Sequence, residues 1–346
     1  MGKIIEREAN LKDALVELDI IIDIIENYRD TLEKINRKMK IEIQKKKIKF
    51  FNFTIFKYII ICIILLLNLF IVLENINVKS FFYLNYNKKN YKIVGISYSN
   101  KLYKASQLLN KKTAYKVGKV DEYYSYGPND IDNTFKEKNK DILSRERGNG
   151  YWLWKPYFIL KTLKEKLNNG DFLIYTDAQI IYTDRVDKLI DFLKERKAEM
   201  WAERLACCIE KEYSKRDAFV LIGVDQPFYT NTNQYIASYQ IYKKTILTEK
   251  FLEDYLYYCR DKRIITDEPN SMGLPNYNIF IDNRHDQTVF SLLIKKYGLA
   301  NSGSQNMSID EINKLNTTMP HIFCHYRREW FKDYEDLKRI CKIKNY

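Results

Sequence analysis

Three charged residues stand where their side chains could do chemistry: Lys155, Asp177 and Asp286. Asp177 follows the apolar run 171–175, so we expect it at the carboxyl end of a buried strand, where open α/β sheets bind ligands. A carboxylate there can bind Mg²⁺ or Mn²⁺, since both cations prefer oxygen ligands. Lys155 lies at the start of a predicted helix, where backbone N–H groups favour anions, so it is a candidate phosphate ligand.

Asp286 stands just before the segment 287–297, whose apolar residues have helical spacing. Its carboxylate can cap this helix, or it can take a proton from a hydroxyl group as a general base, and the two roles are compatible. The adjacent Gln287 would then hydrogen-bond the same substrate.

The intervening residues predict alternating strands and helices. We expect a strand at 92–98, a helix at 101–111, a turn at 127–130, a helix from Pro156 to 167 and a strand at 171–175. Pro156 suits the first position of a helix, and Gly170 suits the position after its end. This alternation predicts the α/β class for residues 92–346.

Three blocks of this region resemble a known family. Residues 148–157 read G-N-G-Y-W-L-W-K-P-Y, residues 170–178 read G-D-F-L-I-Y-T-D-A, and residues 284–293 read R-H-D-Q-T-V-F-S-L-L. They are similar to the G-x-G-Y-W-x-W-K-P, Y-x-D-A/S-G and H/R-x-D-Q-S-x-x-S-L-L blocks of glycosyltransferase-like proteins from bacteria, algae and giant viruses. The resemblance runs from about residue 92 to 330 and implies a single Rossmann-like domain of the GT-A type.

The resemblance also implies roles for individual residues. It assigns catalysis to Asp177, Asp286 and Gln287. It assigns binding of a nucleotide-sugar donor to Ser97, Arg147, Trp152, Trp154, Lys155 and Tyr175. It assigns a divalent cation, Mn²⁺ or Mg²⁺, to Asp177 and His325, since GT-A enzymes complete this site with a histidine from a C-terminal segment. The acceptor would be a glycan or polysaccharide.

This sequence departs from the D-x-D pattern of a GT-A metal site, because Gln179 stands where the second aspartate belongs. A departing diphosphate needs a cation or a fixed Lys or Arg, so dependence on a metal stays open. Gln179 also leaves a second function open, that of a degenerate transferase-like domain that binds glycans or acts as a scaffold. The rings of Trp152 and Trp154 suit either stacking on a ligand or packing in the core.

The basic charge of the chain is local. The 346 residues have a formal net charge of +13, and nine basic residues against one acid between Lys34 and Lys57 account for +8 of it. These charges abut the apolar run 58–73, so they suit anionic lipid and argue against a nucleic-acid partner. The run and its Phe-rich shoulder predict a membrane-spanning helix within 50–76, with a buried core helix as the alternative.

Lysine bias predicts the orientation of this span. Residues 38–57 contain seven lysines and residues 74–93 contain four, so we expect a cytosolic N-terminus and a type II topology. In a eukaryotic or viral host this is the arrangement of a Golgi-type transferase, and the sequons at Asn306 and Asn316 are compatible with a lumen. In a bacterium it would separate the domain from cytosolic nucleotide sugars.

The first 49 residues repeat apolar side chains every seven positions, from Leu11 to Met39. This pattern predicts a coiled coil and a homo-oligomer, with a single amphipathic helix lying on another surface as the alternative. Residues 77–91 would form a short stem. Five cysteines follow the span without a C-x-x-C pair, which excludes a zinc ribbon and allows at most two disulfides.

Overall fold

The computed structural model describes residues 89–299 and 321–325, with isolated positions 33, 34, 37, 38, 310 and 341. The predicted span and sequons, and most of the predicted stem and coiled coil, lie outside these residues. Glu33 and Arg37 lie in a helix and form an ion pair of 3.5 Å. Within the described part of the chain, no helix combines the length and the apolar character that crossing a bilayer needs.

The described residues form strands that alternate with helices. The strands are β1 Ile93–Tyr98, β2 Glu122–Tyr126, β3 Phe172–Thr176, β4 Ile180–Tyr182, β5 Met200–Trp201, β6 Arg204–Ile209, β7 Asn233–Tyr235, β8 Tyr239–Lys243 and β9 Phe323–His325. The helices are α1 Lys104–Thr113, α2 Asn133–Lys138, α3 Lys140–Leu143, α4 Gly148–Tyr151, α5 Trp154–Lys166, α6 Asp187–Glu195, α7 Glu210–Tyr213, α8 Arg216–Ile222, α9 Pro227–Thr230, α10 Ile246–Cys259, α11 Lys262–Ile265 and α12 Asp286–Tyr297. Short 3₁₀ turns occupy Lys101–Tyr103 and Pro128–Asp130, and a π-helical turn follows α1 at Ala114–Gly118.

A mixed five-stranded sheet forms the centre, in the order β2-β1-β3-β8-β5. β1 is parallel to β2 and β3, whereas β8 is antiparallel to both β3 and β5. The parallel strands confirm the predicted α/β class, and the antiparallel ones were not predicted. Since β1 and β3 are parallel, their carboxyl ends lie at one edge of the sheet, where β3 delivers Asp177.

Alternation along β3 divides its side chains between two cores. Leu173 and Tyr175 face the layer that contains α5, α10 and α12, whereas Phe172 and Ile174 face the layer that contains α6. Successive strand residues point to opposite faces of a sheet. The odd-numbered positions of β3 therefore lie toward the helices that begin with Trp154 and Asp286.

Two helix starts differ from expectation. α5 begins at Trp154, so Pro156 is its third residue rather than its first, a place where its missing N–H still costs no helical hydrogen bond. α12 begins at Asp286 itself, and the N-cap is His285, with a φ of 52°. Asp286 is therefore the first helical residue, which corrects its predicted role as N-cap.

Among the described residues there are two disulfides, Cys207–Cys208 and Cys324–Cys341. They match the predicted maximum of two among the five cysteines after the span. The fifth, Cys259, is a buried thiol whose pKa is raised well above its ordinary value by burial.

Candidate functional site

A left-handed turn leads into α5 and sets the direction of Lys155. The φ values of Gly148 and Gly150 are 59° and 94°, and Asn149, Tyr151 and Trp152 between and after them also have positive φ. A Cβ on Gly150 would lie 2.8 Å from Cα of Leu143, and one on Gly148 would overlap the Trp152 ring. Only glycine tolerates both this backbone conformation and this close approach, which explains the two glycines of the block.

Lys155 lies between the two predicted carboxylates. Its Nζ is 2.7 Å from Oδ2 of Asp286 and 3.5 Å from Oδ1 of Asp177. It also donates a hydrogen bond of 3.3 Å to the carbonyl of Ala237. The side chains of Lys155 and Asp286 are 4% and 5% exposed, whereas that of Asp177 is 29% exposed. Three acceptors thus meet the three N–H groups of a buried ammonium, and Asp177 is the member that reaches solvent.

Each of the two carboxylates accepts a hydrogen bond from a tyrosine. The Tyr175 hydroxyl donates to Oδ1 of Asp177, and the Tyr255 hydroxyl donates to Oδ2 of Asp286 at 3.2 Å. The Tyr175 ring lies 5.4 Å from Nζ of Lys155. Because side chains alternate along a strand, Tyr175 and Asp177 share the face on which α5 and α12 begin. The cluster therefore follows from the pleat of β3 and from two helix starts.

Burial and the neighbouring charges act in opposite directions on the pKa values of Lys155 and Asp286. Burial alone would lower the pKa of Lys155, but the Asp177 and Asp286 carboxylates outweigh it and raise that pKa. Burial raises the pKa of Asp286, which Lys155 opposes. Burial and the Asp177 carboxylate raise the pKa of Tyr175 well above its ordinary value, so its hydroxyl remains a donor. With one ammonium and two carboxylates, the ionised cluster carries a net charge of −1.

The backbone around Asp177 is fixed by polar contacts that the sequence did not indicate. Its N–H donates to the carbonyl of Ser238 at 2.7 Å, and Asn110 of α1 donates to its carbonyl at 3.0 Å. Asn110 and Tyr255 were missed because no local pattern separates them from other buried Asn and Tyr residues.

The other residues predicted to bind the nucleotide-sugar donor lie in different environments. Trp154 is 6% exposed, and its ring stacks on that of Tyr98 at a centroid distance of 3.9 Å. This is a core position, one of the two alternatives that the sequence left open for Trp154. Trp152 is half-buried and stacks on His285 at 5.3 Å. Ser97 is a buried residue of β1.

Arg147 and Gln287 bind protein groups. Arg147 pairs with Asp267 at 3.0 Å and with Asp282 at 2.8 Å, so its charge is already balanced. Gln287 accepts a hydrogen bond from Ala237 N–H and donates one to the side chain of Gln234, at 3.2 and 2.9 Å. These contacts support the segment before β8, which supplies the carbonyl that Lys155 binds.

His285 links the first block to the third. It stacks on Trp152, and its Nδ1 lies 2.7 Å from the carbonyl of Ile265. A carbonyl only accepts, so Nδ1 carries the proton, and burial lowers the pKa of this imidazole. His285 thus holds the left-handed turn against the start of α12.

The residues present do not fit the predicted divalent cation. Among residues 89–299 and 321–325, no three His, Cys, Asp or Glu side chains lie together as metal ligands. Oδ1 of Asp177 is engaged by Tyr175 and Lys155, and Lys155 also holds Asp286. The predicted partner His325 is an exposed residue of β9, paired with Ile180. The cation between the two carboxylates is the ammonium of Lys155.

Comparison with known proteins gives weak structural similarity only. No family model and no curated protein matches this sequence. Mouse xyloside xylosyltransferase 1 is 10% identical with a TM-score of 0.35, covering 60% of this chain and 83% of its own. The galactosyltransferase LgtC is 12% identical with a TM-score of 0.37, and the match covers 72% of this chain and 94% of LgtC. The bifunctional glycosyltransferase WbbM is 9% identical with a TM-score of 0.38, and the match covers 69% of this chain and 46% of WbbM. These values are too low to assign an activity to this chain.

Proposed function

We propose that this protein is a glycosyltransferase that takes a sugar from a nucleotide-sugar donor and passes it to a glycan acceptor. The observation that supports this function is a convergence. Lys155 comes from block 148–157, Asp177 from block 170–178 and Asp286 from block 284–293, and the three side chains meet within 3.5 Å of one nitrogen atom. Blocks that resemble a transferase family in sequence thus build one polar cluster.

The charge of the cluster suits the sugar better than the phosphates. Cleavage of a glycosidic bond passes through an oxocarbenium-like state, in which positive charge develops at the anomeric carbon. Asp177 is the carboxylate that reaches solvent, at 29% exposure, in a cluster whose formal net charge is −1, so it can stabilise that positive charge or accept the proton of an acceptor hydroxyl. Lys155 and Asp286 are positioning residues, because both are buried and bind each other.

The test is a screen of nucleotide-sugar donors that measures release of the nucleoside diphosphate. Asp177→Asn should lower release by about 10²-fold or more, since it removes the charge and little volume. Asp191→Asn is the matched control, because Asp191 is 63% exposed in α6 and pairs only at the surface with Lys194. An unchanged rate in Asp177→Asn would contradict the proposal. Release from no donor would favour the glycan-binding alternative.

Residues 50–76 are proposed as a membrane anchor with the N-terminus in the cytosol, and residues 1–49 as an oligomerising coiled coil. Two disulfides in the domain are in accord with an oxidising compartment. Expression in a eukaryotic cell followed by endoglycosidase treatment tests on which side of the membrane the domain lies. A mobility shift that disappears in Asn306→Gln/Asn316→Gln places the domain in the lumen, and the lack of a shift contradicts the topology.

A further inference from the structure

Helix α12 carries three polar side chains on a side that faces the protein. Gln287, Ser291 and Lys295 recur every four residues, so they lie along one side of the helix. Ser291 and Lys295 are buried and Gln287 is half-buried. Burying polar groups costs free energy unless each of them finds a hydrogen-bond partner, so their partners show what the three residues hold in place. We call Gln287, Ser291 and Lys295 the α12 stripe.

The inner end of the α12 stripe is an ion pair with the carboxylate that begins α7. Nζ of Lys295 lies 2.6 Å from Oε1 of Glu210, and both side chains are 0% exposed. The same carboxylate accepts hydrogen bonds from the hydroxyl of Ser291, from the hydroxyl of Ser214 at 2.9 Å and from the amide of Gln234 at 3.1 Å. A buried carboxylate with four donors is a firm anchor, because moving any donor would leave part of its charge unpaired.

From this anchor the α12 stripe reaches the segment that follows β7. The side-chain oxygen of Gln234 accepts a hydrogen bond of 2.9 Å from the amide of Gln287. This contact turns the oxygen of Gln287 toward the N–H of Ala237, which donates to it at 3.2 Å. The hydroxyl of Ser291 accepts from the N–H of Tyr235 at 2.8 Å. Two residues of the stripe therefore fix backbone N–H groups at and just after the end of β7.

The backbone fixed in this way holds two members of the polar cluster. The carbonyl of Ala237 accepts from Nζ of Lys155 at 3.3 Å, and the carbonyl of Ser238 accepts from the N–H of Asp177 at 2.7 Å. Lys155 is thus held twice from α12, directly by Asp286 and through Ala237 by the stripe.

We propose that the α12 stripe positions the cluster for the reaction, with Gln287 as the positioning residue that sets the place of the Ala237 carbonyl. Gln287 then acts on Lys155 and Asp177 through the backbone, whereas the sequence predicted that it would bind the substrate. The effect on rate rests on the proposed glycosyl transfer. Misplacing a reacting group by about 1 Å can cost about 10²-fold in rate, so a loosened segment should be visible in turnover.

The first test compares two neighbouring residues of α12. Gln287→Met removes both hydrogen bonds of this side chain and keeps its length. Thr288→Val is the matched control, because Thr288 is buried and donates to the carbonyl of Tyr213 at 3.0 Å and to Asn283 at 3.2 Å instead. In the donor-release assay, Gln287→Met should lower kcat about tenfold and leave the donor KM within about twofold. Thr288→Val should leave kcat unchanged, and an equal loss in both variants would overturn the proposal.

The second test asks whether Gln287 acts through the cluster. In an Asp177→Asn background, Gln287→Met should lower kcat by less than about twofold, because the group that it positions has already lost its charge. The full tenfold loss in this background would show an independent role and overturn the proposal. Ser291→Ala removes only the partner of the Tyr235 N–H, so it serves if Gln287→Met does not fold. It should lower kcat about threefold, again only when Asp177 is present.

The third test measures no sugar transfer. In hydrogen exchange of the full chain in detergent, the peptides that contain Asp177 and Ala237 should exchange about tenfold faster in Gln287→Met than in wild type or Thr288→Val. Unchanged exchange would overturn the proposal, and so would faster exchange with a wild-type kcat. If wild type releases nucleotide from no donor, the proposed function fails, and exchange alone decides whether the α12 stripe holds the cluster in place.

Discussion

Replacing Asp286 by asparagine tests whether the pair with Lys155 is a buried structural link. The substitution keeps the shape of the side chain and removes its charge. It leaves the ammonium of Lys155, which is 4% exposed, with Asp177 at 3.5 Å as its remaining carboxylate. Removing one partner of a buried ion pair costs about 3–5 kcal/mol. Because asparagine also avoids the desolvation that raises the pKa of Asp286, we expect Asp286→Asn to lower the free energy of unfolding by about 3 kcal/mol, the lower end of this range.

The matched comparison is Asp177→Asn. Asp177 is 29% exposed and its contact with Nζ is longer, so solvent replaces much of what is lost and we expect about 1 kcal/mol. The assay is urea unfolding of the full chain in detergent, followed by tryptophan fluorescence. An Asp286→Asn variant as stable as Asp177→Asn would refute the view that the buried carboxylate holds Lys155.

The pH dependence of the pair follows from the raised pKa of Lys155. A lysine with a raised pKa contributes stability that is complete below its unfolded value of about 10.5. That contribution is lost as the pH rises through the folded value. The stability difference between wild type and Asp286→Asn should therefore be constant through neutral pH and shrink only in strongly alkaline buffer.

Three further predictions concern other parts of the domain. Gly150→Ala should lower the free energy of unfolding in urea by about 2–4 kcal/mol, and Gly170→Ala by about 1–2 kcal/mol. Both glycines have a φ near 90°, but only the methyl group at position 150 would overlap a neighbour. Equal losses in the two variants would contradict this overlap. Burial lowers the pKa of Lys295 to about 8, so between that pH and about 10.5 the unfolded state binds more protons than the folded state. The wild type should therefore gain stability over Glu210→Gln/Lys295→Met as the pH rises through this range. A stability difference that does not change with pH would contradict the lowered pKa. Cys259, in a Cys62→Ser background, should react with maleimide only after denaturation, since its thiol is buried with a raised pKa; labelling of the folded chain would place it at the surface.

Local pattern determined the elements that carry the site. β1 and β3 lie within one residue of their predicted bounds, because a short apolar run before polar residues identifies a buried strand without knowledge of its partners. α12 was predicted to within one residue for the same reason, from its helical spacing. The three blocks predicted Lys155, Asp177 and Asp286 as site residues, and the structure places both carboxylates within 3.5 Å of the Lys155 nitrogen.

Tertiary structure alone decided what these residues touch. The sequence predicted Lys155 as a phosphate ligand at an open helix start, yet its amine is enclosed by two carboxylates and a carbonyl. The sequence left open whether Trp154 stacks on a ligand or packs in the core, and in the structure its ring stacks on that of Tyr98 in the core. It gave no sign that α1 would bury Asn110. Periodicity reports how local residues face, whereas the partner of a buried polar group comes from a distant segment and depends on which acceptors the fold brings within reach.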